Sequence, residues 1–347
     1  MIGVLCPCVP AELLHAAGFE PMVFPSVASA TSRADGHLPP ACCGLARSAL
    51  EVALGTNLPS LRGMVLQRTC DTMAFLGDIW PHAVAGATAA TLNLPRAPES
   101  PHARAYLMAE LARLLERILD INKCDAPTLA RWRETFDLFD RRRELVARLY
   151  DLDRPLSGWL RLRVIRTAFL LPPGRSVAWL ETVQGEVAAQ QDRSLLGRPR
   201  VLVYGPTLPD LNLVKWVEEA GCWVVGDDLC NGWRTCHPRL NVAPDEEPLA
   251  ALARWLIEAW GGCPSQHRPS RPRAARILER VAATGADGVV FALARFCDPH
   301  AFDYPALAEA LRSQGIPHLL LESELTTPVG QVLTRVQAFG ESLESGR

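Results

Sequence analysis

Two stretches of the sequence set a cysteine and an aspartate directly behind an apolar run: "MVLQRTCDT", with Cys70 and Asp71, and "ALARFCDPH", with Cys297 and Asp298. They belong to a set of 11 cysteines, an odd and high number for 347 residues. Structural zinc takes paired C-x2-4-C spacing. The chain offers only Cys6 with Cys8, the adjacent Cys42 and Cys43, and Cys230 with Cys236, none of them a zinc signature. A cysteine nucleophile needs a base within hydrogen-bond reach. His300 follows Cys297 by three residues and His237 follows Cys236 directly, spacings that ordinary loop histidines share. Iron–sulfur ligands can come from distant parts of a chain, which suits cysteines scattered over strand ends and loops. About half of the thiols are expected to be small buried hydrophobes instead.

Composition narrows the setting. Apolar residues make up 48% and charged residues 21%, as in a globular protein that stays in solution. A net charge of -2 gives no reason to expect nucleic acid or an anionic membrane surface. The start, "MIGVLCPCVP", has neither a basic segment nor a long apolar one. No apolar run reaches the roughly 18–20 residues that span a bilayer. These features point to the cytoplasm, where thiols stay reduced and a disulfide framework is not expected. No G-x-G-x-x-G follows a strand, and neither lysine, Lys123 or Lys215, stands in a P-loop context. Any ATP-driven step would therefore belong to another protein.

The elements that must position the cysteines follow one plan twice. β-rich runs bounded by turn residues occur at 2–5, 21–24, 63–67 and about 90–94, then at 200–205, 222–227, 288–293 and 318–323. Helical patterns separate most of them, which predicts βαβ units and parallel sheets, an α/β fold. "VLCPCVPAELLHAAGFEPMVF" and "VLVYGPTLPDLNLVKWVEEAGCWVV" both read strand, loop, helix, strand, with Gly18 and Gly221 ending the helices. In each half the third strand runs into Cys-Asp. The organisation expected is an α/β domain over 1–100, a helical segment over 101–196 and a second α/β domain over 197–347. In the helical segment, Leu107, Leu111, Leu114, Leu115 and Ile118 share one face. Farther on, Trp132, Phe136, Phe139 and Leu145 lie close to one face, and "DRRRE" (140–144) reads as a solvated face opposite them. Ligands of open α/β sheets gather beyond the carboxyl ends of the strands. Cys70 and Cys297 would both lie there, and would meet if the halves face each other.

The chain also resembles the 2-hydroxyacyl-CoA dehydratase family (its D-component), which includes the cluster-bearing subunits of ATP-dependent benzoyl-CoA reductase. The likeness runs in order through "CPCVPAELLHAAG", "CCGLARSAL", "QRTCD", "ETFDLFDRRRELVARLYDL", "RPRVLVYGPTL", "EEAGCWVVGDDLCNGWR", "FALARFCDP", "GIPHLLLESE" and "TRVQAFGE". It implies two similar flavodoxin- or Rossmann-like domains with a [4Fe–4S] cluster in the cleft between them, held by three cysteines. Carried over, these are Cys43, Cys70 and Cys297, with Cys42, Cys230 and Cys6 as weaker candidates. Cys43 is preferred to Cys42 because the family motif has a cysteine four residues before an Arg-Ser pair, here Arg47-Ser48.

The resemblance further implies a CoA thioester substrate and a related subunit or second copy as partner. It also implies a separate ATP-dependent iron–sulfur activator that delivers a low-potential electron for radical dehydration or ring reduction. Asp71 and Asp298 would cap the following helices or, alternatively, tune or protonate near the cluster. Arg234 would hold a carboxylate or phosphate of a CoA ester or, equally, form a structural salt bridge; Trp233 reads as packing. Surplus cysteines leave open a double-cubane [8Fe–9S] cluster acting as a reductase of small molecules. The chain is short for the family, which leaves open a non-catalytic electron-relaying or cluster-assembly subunit.

Overall fold

The apolar runs form two four-stranded sheets, all parallel. The first holds β1 (Ile2–Val4), β2 (Pro21–Val23), β3 (Gly63–Gln67) and β4 (Thr88–Leu92) in the order β2-β1-β3-β4. The second holds β5 (Arg200–Gly205), β6 (Trp223–Leu229), β7 (Gly288–Ala294) and β8 (His318–Ser323) in the matching order β6-β5-β7-β8. The computed structural model describes residues 1–346 apart from 29, 56–60, 151–154, 191, 237–238, 244, 260–262, 270–271 and 325–328; His237 lies outside the described residues.

Parallel neighbours require crossovers, and helices supply them. In the first half they are α1 (Ala11–Ala16), α2 (Gly44–Gly55) and α3 (Asp71–Ala83); α4 (Ala103–Asn122), α5 (Leu129–Ala147), α6 (Gly158–Leu170) and α7 (Pro173–Ala189) follow in the chain between the two sheets. The second half adds α8 (Asn212–Glu219), α9 (Pro248–Arg254), α10 (Arg273–Thr284), α11 (Asp298–Ser313) and α12 (Val329–Ser345). Alternation along the strands divides each sheet between two cores. Val65 and Leu92 face α1, α4 and α9, whereas Met64 and Leu66 face α2 and α3. In the second sheet Val203 and Val290 face α6, α8 and α12, and Tyr204 and Phe291 face α10 and α11. Gly18 and Gly221 follow α1 and α8 with φ of 83° and 100°, the left-handed turn that glycine makes without strain. Among the described residues no helix is long and apolar enough to cross a membrane.

Two expectations need correction. β6 runs on to Leu229 and carries Asp227 and Asp228 in its buried interior. It tolerates them because both are satisfied: Tyr150 donates to Asp227 at 2.7 Å, and Arg234 pairs with Asp228 at 2.8 Å. The "DRRRE" stretch of α5 is not a solvated face, since Arg142 and Arg143 are buried. Arg143 pairs with Glu12 of α1 and with Asp140, and stacks over Trp255. Arg142 lies between the rings of Phe139 and Phe169, 4.4 and 4.5 Å from their centres.

Candidate functional site

Cys43, Cys70 and Cys297 each stand immediately before a helix, at the starts of α2, α3 and α11. β3 and β7 end just before the latter two. At each start, first-turn backbone N–H groups favour the thiolate: those of Leu45 and Ala46 at Cys43, Thr72 and Met73 at Cys70, and His300 at Cys297. Helix N-termini favour negative charge through these donors and the helix dipole. The cysteines themselves occupy the N-cap positions of α3 and α11. Asp71 and Asp298 are therefore first-turn residues, and neither makes the capping bond expected of it.

The three thiols influence one another electrostatically. Burial raises the Cys43 thiol to about 11, and Cys70 and Cys42 add to that rise. Burial also raises Cys297, reinforced by Cys43, Cys230 and Cys70. Cys42 is instead engaged by the side chain of Thr72. The structure thus brings together one thiol from each sheet and a third from the start of α2.

A second group of thiols lies alongside. Cys6 and Cys8 follow β1, with their sulfurs 3.1 Å apart. Cys230 follows β6 and is pushed up to about 12 by burial, with Cys6 and Cys263 adding to the rise. His300 links the groups: its Nδ1 lies 3.4 Å from Cys297 Sγ and its Nε2 3.9 Å from Cys230 Sγ. Arg234 donates to Cys230 Sγ at 3.1 Å and approaches His300 Nε2 at 3.4 Å. Its guanidinium is committed to Asp228, with both side chains 2% exposed, so the salt-bridge reading of Arg234 describes its contacts. Trp233 packs edge-on against Tyr150, with Arg280 over its ring. Among the described residues no three His, Cys, Asp or Glu side chains converge closely enough to share one metal ion.

Comparison with known proteins interprets this geometry. The family model described as 2-hydroxyglutaryl-CoA dehydratase, D-component, matches residues 6–343. The chain belongs to this family. Relatives of this D-component chain include the (R)-phenyllactyl-CoA dehydratase beta subunit of Clostridium sporogenes, 25% identical over 99% of this chain and 91% of the relative. The lactoyl-CoA dehydratase subunit beta of Anaerotignum propionicum is 24% identical over 99% and 91%. A benzoyl-CoA reductase subunit of Thauera aromatica is 25% identical over 97% and 89%.

The remaining cysteines of the dehydratase-family chain are placed apart. Cys222 is buried in the core under α12, raised to about 11 by burial. Cys236 donates to the Trp233 carbonyl at 2.9 Å, and the exposed Cys124 to the Ala17 carbonyl at 3.3 Å. Cys263, one of the surplus cysteines, neighbours Cys6; sequence reasoning missed the buried Arg142, which lines a cavity together with Arg234. Helical spacing carries a signal for Arg142, which stands three residues after Phe139, on the same face.

Proposed function

We propose that this chain is the iron–sulfur subunit of a radical 2-hydroxyacyl-CoA dehydratase or benzoyl-CoA-reductase-type enzyme, a lyase or an oxidoreductase, working in the cytoplasm. Cys43, Cys70 and Cys297 would hold a [4Fe–4S] cluster. A CoA thioester would be the substrate, a related subunit or second copy the partner, and a separate ATP-dependent iron–sulfur activator the electron source.

The observation that carries this reading is three thiols at three helix N-termini within electrostatic range of one another. One ion with metal–sulfur bonds of about 2.3 Å draws its thiolates into contact, and no such trio occurs among the described residues. A cubane takes each thiolate on a different iron, so its ligands stand farther apart. Burial keeps these thiols protonated on their own, so metal charge is what would make them thiolates. Bound there, the cluster would supply a low-potential electron centre with one iron free of protein ligands.

The chain's own residues tune that place. First-turn N–H groups lie near the sulfurs and favour their thiolate form, an influence of the kind that tunes a bound metal centre. Burial holds His300 neutral, its pKa well below the ordinary imidazole value. Its Nε2 faces Arg234 and its Nδ1 faces Cys297, with the Gly205 carbonyl as a further neighbour of the ring.

A second reading, the double-cubane [8Fe–9S] reductase, draws support from the neighbouring Cys6, Cys8, Cys230 and Cys263. Iron and acid-labile sulfide per anaerobically purified chain, with a visible spectrum, separate the two: about four irons or about eight. Cys70→Ala and Cys297→Ala should each abolish the normal cluster. A colourless, iron-free chain would sink both readings and leave the electron-relay and cluster-assembly roles without their centre.

A further inference from the structure

A cavity of about 90 Å³ opens between the halves, reaching from β2 and α1 to the loops after β5 and β6. Its walls are largely apolar, with Phe139, Phe169, Leu208 and Trp255 among them. Four guanidinium groups also line it: Arg142, Arg143, Arg166 and Arg234. Two of these have carboxylates, since Arg143 pairs with Glu12 and Arg234 with Asp228. Glu12 is the one acidic residue among the described lining residues, and Arg143 already engages it.

Arg142 differs. It is 6% exposed, clamped between Phe139 and Phe169, and makes no hydrogen bond or ion pair among the described residues. Its Nε is fully enclosed without a partner, whereas its two terminal nitrogens are neither bonded nor enclosed, and the residue lines the cavity. A buried cation is costly unless it is paired; burial lowers the pKa of Arg142 to about 10, against the pull of Glu12, a carboxylate that Arg142 shares at a distance because Arg143 holds it. Arg166, half-buried on α6, adds a second lining guanidinium with no bonded carboxylate.

We propose that this cavity binds a small carboxylate with an apolar body, the carboxylate on Arg142 with Arg166 beside it and the body against Phe139, Phe169 and Trp255. Planar guanidinium donors match a carboxylate's two oxygens, and the apolar walls exclude a fully hydrated anion. The carboxylate belongs either to a free acid or to the far end of an acyl thioester. The site stands whether or not the thiols carry a cluster.

The test is isothermal titration calorimetry on the anaerobically purified chain with butyrate, its uncharged amide, inorganic phosphate, glutaryl-CoA and pentanoyl-CoA. The acid should bind, the amide at least tenfold more weakly, and phosphate not at all. Arg142→Met should weaken acid binding at least tenfold, with iron content and circular dichroism unchanged. Glutaryl-CoA binding at least tenfold tighter than pentanoyl-CoA assigns the site to an acyl end; equal binding beside a bound acid assigns it to free acids. Absence of acid binding, equal binding of acid and amide, phosphate binding as well as the acid, or an indifferent Arg142→Met each overturns the proposal. If Arg142→Met does not fold, the acid–amide comparison on the unaltered chain decides. None of these outcomes changes the iron count, so failure here is distinct from failure of the cluster reading.

Discussion

Replacing Asp228 with Asn should cost the fold about 3–5 kcal/mol, the range for removing one partner of a buried ion pair. The reason lies in what stays behind. Arg234 Nε donates to Asp228 Oδ1 at 2.8 Å, and both side chains are 2% exposed. Burial works to raise the Asp228 carboxyl, but Arg234 and Arg276 outweigh it and hold it well below the carboxylate range. With the charge gone, Arg234 has an amide oxygen in place of the carboxylate, beside Cys230 Sγ, His300 Nε2 and the face of Tyr204, and no counter-charge among them. Arg276 suffers less, because it is 17% exposed and can turn to water. Arg234→Met, which leaves Asp228 with Arg276, should cost about 2–3 kcal/mol. The double variant should lose no more than about 3 kcal/mol, because methionine fills the space and no lone buried charge remains, a coupling of at least about 2 kcal/mol. Urea unfolding followed by circular dichroism, under anaerobic reducing conditions, measures all three. Losses that add to within about 0.5 kcal/mol would refute the argument, since the two residues would then be energetically independent.

Burial holds the His15 imidazole at about 4, below its ordinary value, in a hydrogen bond with Thr135. Above about pH 6.5 both states are neutral there; as pH falls toward 4 only the unfolded chain takes up the proton, costing the fold about 1–2 kcal/mol by pH 5. His15→Gln should flatten that slope in urea unfolding at pH 7 and pH 5. Trp80→Ala, which empties a fully buried site edge-on to Phe24, should cost about 3–5 kcal/mol by the same assay. Gly158→Ala would set a Cβ 2.7 Å from the Val224 side chain and carbonyl oxygen, costing about 1–3 kcal/mol in thermal unfolding. Cys222→Ala should leave iron per chain unchanged, and iron loss equal to that of Cys70→Ala would refute the ligand assignment.

Much of the architecture was legible because parallel strands announce themselves as short apolar runs between turn residues. β3, β5 and β8 have the expected bounds, and the glycines closing α1 and α8 marked where those helices turn back. β4 starts two residues earlier than expected, at Thr88, because strand bounds follow pairing rather than hydropathy. Asp228 hid the far end of β6, since alternation cannot reveal that Arg234 waits to satisfy it. Arg142 and Arg143 were misread for the same reason: a charge run looks solvated until the rings and carboxylates from other elements are known. For the site, Cys70 and Cys297 were visible as equivalent strand ends. Their nearness to Cys43 depends on how the two sheets face each other, which no local pattern encodes.

That dependence has a kinetic consequence. The thiols of Cys70 and Cys297 belong to separate sheets, and each sheet closes only when distant strands have paired. Parallel pairing of this kind is slow, because the chain entropy of long loops is lost before contacts compensate. No folding intermediate with one finished sheet can present the full set of sulfurs. Capture of metal by these three cysteines would therefore be a late event, and its appearance in a refolding time course would mark the moment when both halves have docked.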